Sequence, residues 1–248
     1  MKSKKQNQGE PLRRLRQVAV VCGFVLLTGC ASTDEFGDPR DPLEGFNRAI
    51  YSFNDVVDKA VVKPVAKGYK AVLPVPVKNG VTNFFGNLSD VGSAVNNLLQ
   101  FKMQRAGSDV ARVAFNSTIG ILGVMDVASN MDFPKYREDL GQTLGYWGMG
   151  QGPYLVLPVF GPSSVRDGIG WVGGWYLDPI FYVDEPTVFW TLGILRNVDK
   201  RANLLAASDL LEQAALDPYE FVKDAYLQKR RNEVYDGNPP PDPEWDED

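Results

Sequence analysis

The sequence predicts an all-α, mainly helical single domain with at most a short β-hairpin. Apolar residues recur every three or four positions through most of the chain, the spacing that collects them on one helix face. Two segments, Asp41-Pro42-Leu43-Glu44 and Asp217-Pro218-Tyr219-Glu220, share a helix-start pattern: an acid to cap, proline at the first helical position and glutamate following. Strand composition is confined to Tyr154 to Phe160, and Pro158 interrupts it.

The elements follow in order. The basic residues Lys2, Lys4, Lys5, Arg13, Arg14 and Arg16 precede an uncharged run, Val18 to Leu27, which ends in Leu27-Thr28-Gly29-Cys30. Basic, then apolar, then small residues is the order of a secretory signal, and the cysteine stands where bacterial lipoprotein processing cuts. The apolar run is about half the roughly 20 residues that a membrane-spanning helix needs. Residues 1–29 are therefore expected to be a lipoprotein signal peptide and Cys30 the lipidated residue, a plain signal peptide or a buried helix being the alternatives. Residues 30–40 are small, polar and charged and suit a tether. The helical domain is expected over 41–236. It opens with the stripe Leu43, Phe46, Ile50, Phe53 and Val57, followed by helices marked by Val77, Val81, Phe84, Phe85 and Leu88 and by Val110, Val113 and Phe115 to Ile121. Val188 to Leu216 reads as one long or broken helix. The last helix carries Phe221 and Ala225 and ends in Lys229-Arg230-Arg231, cations at the terminus that favours them. Residues 237–248, rich in proline and acids, are expected to be disordered.

Composition narrows function. Histidine is absent, which removes the commonest general base and metal ligand, and with them Ser-His-Asp triads and His-based metal sites. Cys22 would leave with the leader and Cys30 would carry lipid, so no thiol chemistry remains. No catalytic residue, metal or cofactor is indicated. Cleavage before Cys30 leaves 219 residues with 20 basic and 30 acidic side chains. Such an acidic body argues against nucleic acid and against holding anionic headgroups by bulk charge.

The segment Leu140 to Leu177 is anomalous. Its only charges are Arg166 and Asp167, and it holds ten of the 24 glycines together with Trp147, Trp171 and Trp175. Prolines and the run Gly148 to Gly152 bar a membrane-spanning helix. It reads either as glycine-rich core or as interfacial chain set into a membrane. Gly168-Ile169-Gly170-Trp171-Val172-Gly173 matches a dinucleotide fingerprint but does not follow a strand directly. Val165, Ile169, Val172 and Tyr176 instead space as an apolar helix.

Four stretches, DPLEGFNRAIYSFND (41–55), FNSTIGILGVMDVAS (115–129), DLGQTLGYWGMGQGPYLVLP (139–158) with the following FGPSSVRDG, and LLAASDLLEQAALDPYEFVKDAYLQKRR (204–231), resemble the MlaA (VacJ) family of outer-membrane lipoproteins. The resemblance implies a ring-like, membrane-embedded helical protein on the periplasmic leaflet of a Gram-negative outer membrane, anchored through Cys30 and bound to trimeric porin. It implies removal of phospholipids misplaced in the outer leaflet, which pass through an amphipathic channel to a soluble periplasmic carrier. It further implies that the stretch from Gly145 to Gly152, including Tyr146, Gly148 and Gly150, controls that channel. Arg166 and Asp167 are candidates for headgroup contact or for pairing with each other, the alternative being a helix-end pair facing water. Phe46, Asn47, Phe53 and Asn54 are candidates for lining the channel or for plain core. A phospholipid-cleaving enzyme using Asp126, Asp132 or Asp139, and a structural porin-associated lipoprotein, are the rival readings.

Overall fold

A computed structural model describes residues 38–241; the signal peptide, Cys30, most of the tether and residues 242–248 lie outside them. Helix α1 (Glu44–Val57) passes through a wide π turn (Asp58–Val62) into α2 (Lys63–Val72). The turn sits just ahead of Pro64, whose missing N–H leaves the helical ladder a donor short. Helix α3 (Val75–Leu99) and α4 (Met103–Thr118) form an antiparallel hairpin. A short α5 (Leu140–Tyr146) leads to strands β1 (Tyr154–Leu157) and β2 (Gly161–Ser164), paired antiparallel with Tyr154 opposite Ser164. Then follow α6 (Val165–Gly174), two 3-10 turns (Trp175–Leu177 and Pro179–Tyr182), the unbroken α7 (Pro186–Ala214) and α8 (Pro218–Val234). The dinucleotide-like glycines fall inside α6, so that match is a helix.

The two similar helix starts behave differently. Asp217 caps α8 as expected, its carboxylate accepting from the Tyr219 and Glu220 amides. Asp41 does not cap α1, whose N-cap is Leu43. It is buried instead, accepting from the Asn47 side-chain amide at 2.7 Å and from the Tyr219 hydroxyl. The last tether residues are held rather than loose, because the Asp38 carboxylate meets Lys223 at 3.1 Å and Arg40 at 2.9 Å. At the other end, Arg231 donates to the Pro240 carbonyl at 2.6 Å, so the chain up to residue 241 is tied to α8.

The apolar core is small. One cluster joins Tyr154 and Val156 of β1 to Tyr219 and Leu227 of α8, with Ile50 and Tyr51 of α1 against it. A second joins Ala66 of α2 to Ala202 and Leu205 of α7. Among the described residues, buried polar or charged side chains number 21 and buried apolar ones 12, whereas 39 large apolar side chains are exposed. A folded soluble domain buries its large apolar residues and leaves charge outside; here that order is reversed. Among the described residues, no helix is long and apolar enough to cross a membrane.

Candidate functional site

The interior is a set of polar networks. Along the α3–α4 seam, the Arg112 guanidinium, 2% exposed, donates to Asp90 at 3.1 Å, Asp126 at 3.0 Å, Ser129 at 3.0 Å and the Phe133 carbonyl at 2.9 Å. Lys135 reaches the other Asp90 oxygen at 2.7 Å. Further along the seam, Asn97 donates to Asp109 at 2.8 Å and Asn87 to Ser117 at 2.9 Å. Asp109 lacks a direct cationic partner, and burial pushes its carboxyl up to about 6. Where α3 meets α5, Gln100 donates to Glu138 at 2.9 Å and to Thr143 at 3.0 Å.

A second network joins α5, α6 and α8. Arg230 lies between Asp139 (2.7 and 2.9 Å) and Asp167 (3.0 and 2.9 Å) and also reaches Glu233 at 2.9 Å. Tyr226 donates to Asp167 at 2.5 Å. Burial alone would raise the Asp167 carboxyl, but hydrogen bonds and charge from Arg230 outweigh it and bring the carboxyl down to about 2. The helices approach closely enough to build this cluster because glycines meet at the crossing. A Cβ on Gly170 would lie 2.4 Å from the Gly141 nitrogen, and one on Gly141 would lie 2.6 Å from an Asp167 oxygen.

The β-hairpin is docked on α1 by two amides one heptad apart. Asn47 donates to the Tyr154 carbonyl at 3.0 Å and accepts from the Val156 amide at 2.8 Å. Asn54 repeats the pattern with the Leu157 carbonyl at 3.0 Å and the Val159 amide at 2.6 Å. These side chains satisfy an open strand edge that would otherwise leave backbone groups unpaired. Asn47 is fully buried, and Phe53, an expected neighbour at the site, is exposed while Phe46 is half-buried. The four α1 candidates therefore do not converge with the others: the asparagines hold the hairpin, and Phe53 faces outward.

The glycine stretch divides into two parts. Gly145 and Tyr146 end α5, and the loop proper runs from 147 to 153. Gly148 has φ +92° and closes α5 with its amide donating to the Gly145 carbonyl, while Met149 reaches back to Leu144. Gly152 has φ +68°, and a Cβ there would lie 3.2 Å from the Val165 Cβ. Gly150 needs neither, and a Cβ at Gly148 or Gly150 would meet nothing within 4 Å. Arg166 and Asp167, buried at 5% and 9% exposure and 3.1 Å apart, do not face water. Gly145 brings this pair and the loop together, since a Cβ there would lie 3.0 Å from an Arg166 nitrogen.

The outer surface near this cluster is aromatic. Phe160 packs on Trp171 at 4.4 Å between ring centres and Trp171 on Trp175 at 4.8 Å, with both tryptophans about two-fifths exposed. Tyr176, Phe181, Tyr182 and Trp190 continue the exposed set. The acids considered for catalysis are otherwise engaged: Asp126 with Arg112, Asn116 and Ser129, and Asp139 with Arg230 and the α5 N-terminus. Asp132 stands exposed after a 3-10 turn.

Sequence reasoning did not single out Arg112, Asp90, Asp109 or Asn97, and it read Arg230 as a helix-end cation. The usable signal was a polar stripe. Asn83, Asn87, Asp90 and Asn97 recur at helical spacing along α3.

Comparison with known proteins agrees with this architecture. The MlaA lipoprotein family model matches residues 39–233. The Escherichia coli (strain K12) intermembrane phospholipid transport system lipoprotein MlaA is 38% identical over 225 residues, 87% of each chain. The Haemophilus influenzae protein of the same name is 33% identical over 221 residues, covering 86% of this chain and 88% of its own. A solved structure described as the structural basis for maintenance of bacterial outer membrane lipid asymmetry superposes with a TM-score of 0.70 at 32% identity, covering 80% of this chain and 99% of that one. With a helical body interrupted by a single two-stranded hairpin, and with its family model matching nearly the whole described region, the chain belongs to the MlaA lipoprotein family.

Proposed function

We propose that this protein is an outer-membrane lipoprotein that removes misplaced phospholipid from the outer leaflet and passes it inward, so maintaining lipid asymmetry. The observation that carries the reading is the reversed polarity of the body: among the described residues, charged networks lie inside, 39 large apolar side chains lie outside, and no helix is long and apolar enough to cross a membrane. Such a body suits a single leaflet, its apolar surface against acyl chains and its polar interior available to headgroups. Moving a bare polar head through hydrocarbon costs several kcal/mol, and a polar passage lowers that cost without a catalyst. The names of the E. coli and H. influenzae relatives point the same way.

In this account Cys30 carries the lipid anchor, in the periplasmic leaflet. A single myristoyl chain gives only marginal attachment, about 10⁴ M⁻¹; a triacylated Cys30 together with the exposed belt of Trp171, Trp175 and Trp190 gives firmer, oriented attachment. Trimeric porin is the partner within the membrane and a soluble periplasmic lipid carrier receives the cargo. The loop from 147 to 153, next to Arg166 and Asp167, controls passage.

Labelled phospholipid incubated with the purified protein and an acceptor tests the reading. Intact lipid moving to the acceptor supports it, and release of fatty acid or lysolipid indicates cleavage instead. Gly150→Ala probes the loop more cleanly than a change at Gly148, whose positive φ any substitution would strain. Slower transfer with porin binding retained is expected.

A further inference from the structure

Among the described residues, three buried side-chain nitrogens lack a hydrogen-bond partner: Gln151 Nε2, Arg166 Nη2 and Arg196 Nε. The first two belong to segments that touch. The Arg166 amide donates to the Gln151 carbonyl at 3.2 Å, and the Val165 amide to the Pro153 carbonyl at 3.2 Å. Arg166 is 5% exposed, and its Nε is engaged with Asp167 at 3.1 Å. Asp167 already receives Arg230 and Tyr226, so it offers Nη2 no further acceptor. The other terminal nitrogen, Nη1, lies against Gly145, beside the apolar Val234 side chain, which offers no acceptor. A buried donor without an acceptor is unfavourable, and both orphans at this junction are donors, which calls for an anion rather than a cation.

We propose that Arg166 and Gln151, at the junction of the glycine loop and α6, form a donor site for a phosphate oxyanion, the group shared by phospholipid headgroups and free phosphate esters. A guanidinium and an amide NH₂ together match the spread of phosphate oxygens. The N-terminus of α6, a ten-residue helix, adds partial positive charge of the same sense. Asp167 is engaged by Arg230 and Tyr226 as well as by Arg166 Nε, and Arg166 Nη2 stays without a partner beside it. A Cβ at Gly148 or Gly150 would meet nothing within 4 Å, so no packing covers the loop at those two positions. The proposal rests on the phospholipid-transfer reading and gives that passage a headgroup contact.

The test is retention of ligand by the full-length protein in detergent, measured by native mass spectrometry. The probes are dioleoyl phosphatidylglycerol, dioleoylglycerol with the same acyl chains and no phosphate, and glycerol 3-phosphate. Gln151→Leu removes only an unpartnered donor, so its melting temperature should hold or rise while phospholipid retention falls about tenfold. Arg166→Gln should lower phospholipid retention at least as much, and Arg166→Lys should recover part of it. Dioleoylglycerol retention should be unchanged in all three variants. Competition by glycerol 3-phosphate would assign the site to free phosphate esters, and its failure would assign it to lipid headgroups. Unaltered phospholipid retention in both Gln151→Leu and Arg166→Gln overturns the site but leaves lipid transfer standing. A wild-type protein that retains no phospholipid counts against the transfer reading itself.

Discussion

Asp167 shows how a buried charge becomes a stability statement. Its folded carboxyl is depressed from the ordinary 3.8 to about 2, so the stabilisation is complete above about pH 4 and is lost as pH falls through 2. Asp167→Asn should flatten that acid limb, removing roughly 2 kcal/mol at neutral pH, as followed by chemical unfolding in detergent. Arg230→Ala should cost more, about 3–5 kcal/mol, since it strands Asp167 without its counter-ion. Asp109 carries the opposite sign. Its folded carboxyl rises from 3.8 to about 6, so its ionisation is a burden above about pH 6 that disappears as pH falls toward 4. Asp109→Asn should stabilise the protein by about 1–3 kcal/mol at pH 7.5 and leave it nearly unchanged at pH 4. Equal melting temperatures for the two proteins at pH 7.5 would contradict that burden. None of these roles was readable from spacing, because Arg230 among Lys229 and Arg231 looks like any basic helix end, and only folding places Asp139 and Asp167 against it.

At the scale of elements, the crossing of α5 and α6 is the most constrained contact. A Cβ at Gly170 would strike the backbone of Gly141, and backbone cannot move aside as a flexible side chain can. Gly170→Ala should therefore destabilise by about 1–3 kcal/mol, whereas Gly107→Ala in α4, with nothing within 4 Å, should stabilise by about 0.5–1 kcal/mol. Thermal melts of the two variants decide this. Helix positions were well marked in the sequence: apolar spacing located α1, α3 and α4, Val188 to Leu216 read as the long α7, the Asp217-Pro218 start marked α8, and Val165, Ile169, Val172 and Tyr176 read α6 as an apolar helix rather than a nucleotide turn. The helix-start chemistry transferred to Asp217 but failed at Asp41, because burial against Asn47 and Tyr219 competes with capping. Asn47 and Asn54 were found as notable amides, yet their use became clear only once β1 lay beside α1. Partner choice across 103 or 107 residues is a tertiary property.

Across the whole molecule, the reversed distribution of polar and apolar side chains was foreshadowed in one segment, Leu140 to Leu177, where tryptophan and glycine replace charge. Its wider extent, including the exposed Ile119, Ile121 and Leu122 and the polar α3–α4 seam, was hidden because a helix with two unlike faces does not announce which face is inside. If the aromatic surface meets acyl chains, brominated phospholipid should quench the fluorescence of Trp171, Trp175 and Trp190; quenching no greater than for a soluble tryptophan protein would contradict the orientation. The central claim, that this protein keeps phospholipid out of the outer leaflet, is tested most directly by surface labelling of phospholipid in cells lacking it. The account predicts a rise in labelled phospholipid that the intact chain reverses, and an unchanged outer leaflet in a clean deletion would contradict it.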